Sequence, residues 1–250
     1  MARSADKKRK STLHSQPISP AAFQKIQVDH LQLPPAGGMR YPLDITEGLT
    51  GWVGLYSRHS PGACGAAQKI LLWVERHGSF GEMLSDRGAC VVSELFKNLA
   101  QMLKYEIRLP SGRNPKSNGR CEAKNRLINH HLRVVCPDNQ RDWTRYVSTI
   151  QSGINTGKMS NTAKSAFELV YGRPFRLNID ATILPRMEAV TNMKEFAEQH
   201  RTQIEFLQKF AFDNQLQANI ETTRKYNLKA TELQLKPGDL ILLANWRHSR

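Results

Sequence analysis

No stretch of this chain has an unbroken apolar run approaching the ~18 residues that a membrane span requires, so no spanning helix is expected. Cysteine is scarce and poorly placed for metal. Cys64, Cys90, Cys121 and Cys136 form no C-x-x-C pair and have no His at ligand spacing, which argues against zinc and for reduced, structural thiols in an intracellular protein. No apolar segment follows the basic cluster Lys7-Lys8-Arg9-Lys10, so the start does not read as a signal peptide. That cluster reads either as a nuclear localisation signal or as a solvated tail. Acid is in short supply: 22 Asp and Glu against 36 Lys and Arg leave a net charge of +14. Such an excess favours a nucleic-acid partner, because basic side chains that meet phosphate release counterions. Glycine and proline are missing from Arg186 to Lys236, which leaves nothing there to interrupt a helix.

What is present reads as a folded α/β protein with unlike ends. Residues 1–22 are charged and then Ser/Pro-rich, and are expected to form a disordered basic tail. Ile26–Leu31 alternates like a strand, and Tyr41–Thr46 and Gly51–Ser57 read as two more, paired as a hairpin around Glu47-Gly48. Pro42 and Asp44 are poor strand residues within that pair. Gly65–Arg76 and Ser93–Tyr105 have helical spacing, and Glu82–Ser85 and Glu106–Leu109 are short strands. Strands interleaved with helices imply a sheet with helices packed on it. From Glu122 to about Val135 a helix is expected, with Ile128, Leu132 and Val135 on one face and Glu122, Arg126, Asn129 and Arg133 on another. Met193, Phe196, Ala197, Ile204, Leu207, Phe210 and Ala211 recur at helical spacing farther on, and pack on the core or form a linker arm. Pro237-Gly238-Asp239 then turns into a strand at Leu240–Ala244.

Three carboxylates stand out. Asp29 lies in the strand-like Lys25-Ile26-Gln27-Val28-Asp29-His30-Leu31. Asp86 follows a strand in Ser85-Asp86-Arg87-Gly88, and Glu122 lies just past the turn in Asn114-Pro115-Lys116-Ser117-Asn118-Gly119-Arg120-Cys121-Glu122-Ala123-Lys124-Asn125-Arg126. An acid in the first turn of a helix is favoured in its ionised form by the helix dipole. Fixed carboxylates among Lys and Arg suit a place where divalent ions meet a phosphate backbone. The 35 residues between Asp86 and Glu122 are a weak signal by themselves. Each acid also has an ordinary reading: turn former, solvated strand-edge acid, helix-dipole partner.

The framing of the acids resembles the retroviral-type integrases, in particular those of gypsy-like LTR retrotransposons. Asp29-His30-Leu31-Gln32-Leu33-Pro34 looks like the family's first motif, Ser85-Asp86-Arg87-Gly88 like its second and Asn114–Arg126 like its third. Downstream, Trp143, then Asn155-Thr156, then Ala166-Phe167-Glu168-Leu169-Val170-Tyr171-Gly172-Arg173-Pro174 continue the likeness, as does Lys236-Pro237-Gly238-Asp239-Leu240-Ile241-Leu242-Leu243.

The resemblance implies an RNase H-like catalytic core, a mixed five-stranded sheet flanked by helices, over residues 23–180. A helical linker would follow over 181–232, and the start of an incomplete SH3-like barrel over 233–250. It implies that Asp29, Asp86 and Glu122 are catalytic and hold Mg2+ or Mn2+, Asp29 and Asp86 on one ion, Asp29 and Glu122 on the other. It also implies 3′-end processing and strand transfer on DNA, a homo-oligomer and a nuclear location. Lys116, Asn118, Arg120, Lys124, Asn125, Arg126, Asn129 and Arg133 would bind DNA. Asn114, Lys116 and Ala123 depart from the family pattern, and no zinc module precedes the core. The alternative is therefore a non-catalytic nucleic-acid-binding remnant of an integrase.

Overall fold

The computed structural model describes residues 17–85, 93–109, 119–136, 142–177, 192–228 and 230, with the side chains of 119–124 left out. The expected basic tail before residue 17, Asp86, Lys116, Asn118 and the expected strand Leu240–Ala244 lie outside the described residues.

Alternation in Lys25–His30 gives β1, which forms the centre of the sheet. β2 (Leu43–Glu47) pairs antiparallel with β1, and β3 (Val53–Tyr56) antiparallel with β2. On the other side, β4 (Glu82–Ser85) and β5 (Glu106–Arg108) add in parallel. The order β3-β2-β1-β4-β5, three antiparallel strands followed by two parallel ones, is the mixed sheet of the RNase H-like fold. Pro42 falls just ahead of β2, so its missing N–H costs no rung, and its carbonyl accepts from Leu31 at 3.0 Å.

Period-two alternation divides the strands between two cores. Ile26, Val28, Leu43 and Ile45 face α1 (Ala63–His77) and α2 (Glu94–Leu103), where Ile70, Trp73 and Phe96 are fully buried. Trp73 lies close to β3 because Gly54 has no side chain: a Cβ there would come within 2.9 Å of the indole. Val53 and Leu55 face the opposite way, toward α3 (Gly119–Val135) and α4 (Trp143–Thr156), and pack with Ile128, Leu132, Trp143, Ile150 and Ile154. Ile128 and Leu132 are thus the inward face of α3, as their spacing predicts.

α5 (Ala166–Tyr171) opens on a capping box: the Ser165 hydroxyl accepts from the Glu168 backbone, and the Glu168 carboxylate accepts from that of Ser165. It ends at Gly172, whose φ of 67° suits glycine, and a Cβ there would lie 3.1 Å from both His200 and Ile204. Those two residues belong to α6 (Met193–Asn227), the long helix that the missing Gly and Pro allow. His200 stacks on Phe196 with ring centroids 5.8 Å apart, a packing role. The apolar stripe of α6 is only partly covered. Leu207 and Ala211 pack with Leu49 and Leu169, whereas Met193 and Phe196 are 75% and 42% exposed. The compact unit carrying the sheet runs from Gln16 to Gln217, and the last turns of α6, from Ala218, belong to a second unit. No helix among the described residues is long and apolar enough to cross a membrane.

The ring cluster at the end of α1 makes stability pH-dependent. His77 stacks on Phe23 at 5.0 Å and lies 4.5 Å from the Trp73 ring. Burial, aided by the Arg76 charge, lowers its pKa. A lowered His favours folding while neutral, so its contribution is complete above the unfolded value of about 6.5 and is lost as pH falls through the lower folded value. Denaturant midpoints should drop between pH 7.5 and 5.5, and His77→Phe should flatten that drop. An unchanged slope in the variant assigns the pH dependence to other groups.

Candidate active site and nucleic-acid interface

Asp29 is the fifth residue of β1 and half-buried. Strand alternation turns it away from Val28 and toward the side covered by α3 and α4. Both its oxygens are engaged. Oδ1 accepts from the backbone N–H of His30 at 2.8 Å, and Oδ2 accepts from Nδ2 of Asn125 at 2.8 Å. The amide orientation follows from charge, since the reversed amide would set oxygen against carboxylate. The amide oxygen, Oδ1 of Asn125, is buried and has no hydrogen-bond partner among the described residues.

Asn125 ties α3 to the end of β1. Glu122 is the fourth residue of α3 and precedes Asn125 by three positions, which puts the two on neighbouring positions of one helix face. The Glu122 side chain lies outside the described residues, as do those of Arg120 and Lys124. β4 runs parallel to β1 and ends at Ser85, which pairs with Val28; Asp86 is the next residue in sequence. Of the three acids, Asp29 alone has a described side chain, Glu122 has a described backbone position, and Asp86 lies outside. Among the described residues no three His, Cys, Asp or Glu side chains form a metal-binding group.

Arg126, Asn129 and Arg133 lie on the exposed face of α3, opposite Ile128 and Leu132. Neither Arg126 nor Arg133 forms an ion pair with another described residue. A cavity of about 200 Å³ opens beside Asn129 and Arg133, walled by Pro34 and Trp143, whose indole N–H donates to the Pro34 carbonyl at 2.8 Å. The exposed stripe can follow a phosphate backbone along the helix axis.

Two features of the site were not foreseen from sequence. Asn125, read as a DNA-binding residue, donates to Asp29. Asp44, read only as a poor strand residue, stands directly opposite Asp29 in the β1–β2 ladder. The donor chemistry suits a small hard cation: a carboxylate on β1 and, on α3, a buried amide oxygen without a partner among the described residues.

No protein-family model matches the chain. It is 26% identical over 184 residues to the Pro-Pol polyprotein of Simian foamy virus type 3, a match covering 72% of this chain and 16% of that protein. It is 23% identical over 228 residues to the retrovirus-related Pol polyprotein from transposon 412 of Drosophila melanogaster, covering 90% and 18%. The chain therefore spans less than a fifth of the length of these relatives. Among solved structures, a chain of the simian T-cell lymphotropic virus intasome in complex with PP2A regulatory subunit B56 gamma shares its fold, with a TM-score of 0.59 and 15% identity. That match covers 75% of this chain and 66% of the other. The sequence likeness is thus to Pol polyproteins of a retrovirus and a retrotransposon, and the fold is that of an intasome chain, both consistent with an integrase-type protein.

Proposed function

We propose that the chain is a DDE-type polynucleotidyl transferase that processes DNA 3′ ends and transfers them to a second DNA. The observation that carries this reading is the Asn125–Asp29 hydrogen bond of 2.8 Å, which fastens the helix bearing Glu122 to the strand bearing Asp29. In this reading Asp29, Asp86 and Glu122 hold two Mg2+ or Mn2+ ions. The ions supply Lewis-acid activation of the attacking oxygen and stabilisation of the leaving one.

The rest is positioning by the protein. Asn125 and the His30 N–H each occupy one lone pair of the Asp29 carboxylate, which fixes its rotation while leaving lone pairs for metal. Arg126, Asn129 and Arg133 hold the DNA backbone along α3, with Lys116, Asn118, Arg120 and Lys124 at its start. The reading includes action in the nucleus and as a homo-oligomer.

The test is nicking and strand transfer by the purified chain on end-labelled DNA, with Mn2+ and with EDTA. Metal-dependent nicking supports the enzyme. Salt-sensitive DNA binding without any nicking supports the binding remnant instead, in keeping with the departures at Asn114, Lys116 and Ala123.

The interface makes a separate prediction. The double variant Arg126→Ala, Arg133→Ala should weaken DNA binding across all sequences and reduce the slope of log affinity against log salt by about 1 for each phosphate no longer neutralised. Anisotropy titrations at several salt concentrations measure this, and an unchanged slope removes the stripe from the interface.

A further inference from the structure

The cavity beside the exposed stripe of α3 has a lining that suits one kind of ligand. Gln32 and Pro34 supply one wall, Asn129, Leu132 and Arg133 of α3 another, and Trp143 at the start of α4 a third. Backbone hydrogen bonds hold the first wall in place. Leu31 donates to the Pro42 carbonyl at 3.0 Å and Leu33 to that of Arg40 at 3.1 Å, so the pairing of the hairpin continues past β1. The Trp143 indole then ties Pro34 to α4 at 2.8 Å. The cavity is thus preformed, and a ligand entering it meets little ordering cost.

Its floor is apolar. Trp143, Cys136 and Leu132 are 1%, 4% and 9% exposed. The Trp143 N–H is already spent on Pro34, so the indole offers a ligand ring surface and no donor. The rim is polar: Gln32 and Asn129 bring amides and Arg133 a guanidinium, all three exposed. No Asp or Glu is among the described residues that line it. At about 200 Å³ the space is below the ~300–1,000 Å³ of pockets that enclose drug-sized molecules, which limits the occupant to about one ring system.

A flat ring with hydrogen-bonding edges and an attached anion fits such a lining, and a nucleobase on its phosphate is that ligand. The position agrees. Asn129 and Arg133 belong both to the cavity and to the face of α3 read as the DNA track. Arg133 is eight residues beyond Asn125, the contact to Asp29. At ~1.5 Å per residue that is roughly 12 Å along the helix, or about three to four base steps of ~3.4 Å.

We propose that this cavity receives an unpaired nucleobase of the DNA held along α3, about three to four steps from the phosphate at the Asp29 site. The proposal rests on reading α3 as the DNA track. It gives the chain a preference that phosphate contacts alone do not, for DNA with a weakened base pair at one position.

The experiment measures anisotropy affinities of the full chain for three kinds of end-labelled duplex. One is fully paired, one carries a single mismatch moved stepwise from the end, and one lacks both bases at the mismatch position. The proteins are wild type, Gln32→Ala on the exposed rim, and Cys136→Met, which fills the floor. Wild type should bind the mismatched duplex roughly tenfold more tightly at one position, the scale of one base stacked on an aromatic ring, and removing both bases there should abolish the gain. In the variants the ratio of mismatched to paired affinity should fall toward one, and a gain lost in either supports the proposal. No gain at any position in wild type overturns it. So does a gain kept without the bases, which reports DNA flexibility instead, or a gain kept in both variants. If Cys136→Met does not fold, Gln32→Ala decides. Salt-dependent binding to paired DNA without a mismatch gain removes the cavity alone. Binding without salt dependence removes the DNA track, and the cavity's role with it.

Discussion

Glu122→Gln should lower metal-dependent DNA nicking and strand transfer by roughly 10³-fold or more while leaving DNA affinity equal or higher. The substitution keeps the size and helix propensity of the side chain and removes only its charge. Glu122 stands on the fourth residue of α3, one turn before Asn125, whose amide holds this face of the helix against Asp29 at 2.8 Å. A neutral amide is a weak ligand for Mg2+ or Mn2+, so metal held jointly with Asp29 would be released or misplaced. Binding should be spared for a different reason: α3 presents Arg126 and Arg133 on its exposed face, and removing one negative charge beside the phosphates reduces repulsion. Single-turnover cleavage and anisotropy on the same DNA measure the two effects. Cleavage within tenfold of wild type takes Glu122 out of the chemistry, and equal loss of binding and cleavage makes it a folding residue.

Much of the fold is legible because local signals and burial agree. Glu82–Ser85 is a strand as expected, and the helices expected at Gly65–Arg76 and Ser93–Tyr105 occupy Ala63–His77 and Glu94–Leu103. Their ends shift by one or two residues because backbone geometry sets them: α2 stops where Lys104 turns to a φ of 57°, which no periodicity announces. The hairpin is legible despite Asp44, because Leu43 and Ile45 alternate with it and bury against α1 and α2. The site is less legible. A motif can frame Asp29, but the choice of Asp44 as its neighbour depends on the β1–β2 register, which a sequence fixes only through the whole hairpin. Asn125 reads as one more polar residue on a basic helix, and its bond to Asp29 spans 96 residues. The resemblance includes Asn155-Thr156 without any physical role, and there the structure supplies one.

Asn155→Leu should destabilise the protein by ~3–5 kcal/mol, since it leaves two buried backbone groups without partners and each costs ~1–3 kcal/mol. Among the described residues β3 is an edge strand, paired with β2 on one side only. Its free edge is satisfied by α4. The Asn155 amide accepts from the Val53 N–H at 2.8 Å and donates to the Val53 carbonyl at 2.8 Å, so one side chain takes the place of a neighbouring strand. One turn earlier, Gln151 accepts from the Leu55 N–H at 2.9 Å. Two amides four residues apart on one helix face thus match two outward-facing residues of a strand, 53 and 55. Asn155 is 2% exposed, so water cannot substitute for it, and leucine fills its volume without offering a donor or an acceptor. Gln151→Leu removes one acceptor at a less buried position and should cost less. Urea midpoints of the two variants measure the difference, and a loss under ~1 kcal/mol for Asn155→Leu would mean that β3 relaxes to find other partners. The freed edge should also show as increased self-association on partial unfolding, because an unpaired strand edge is a template for another chain.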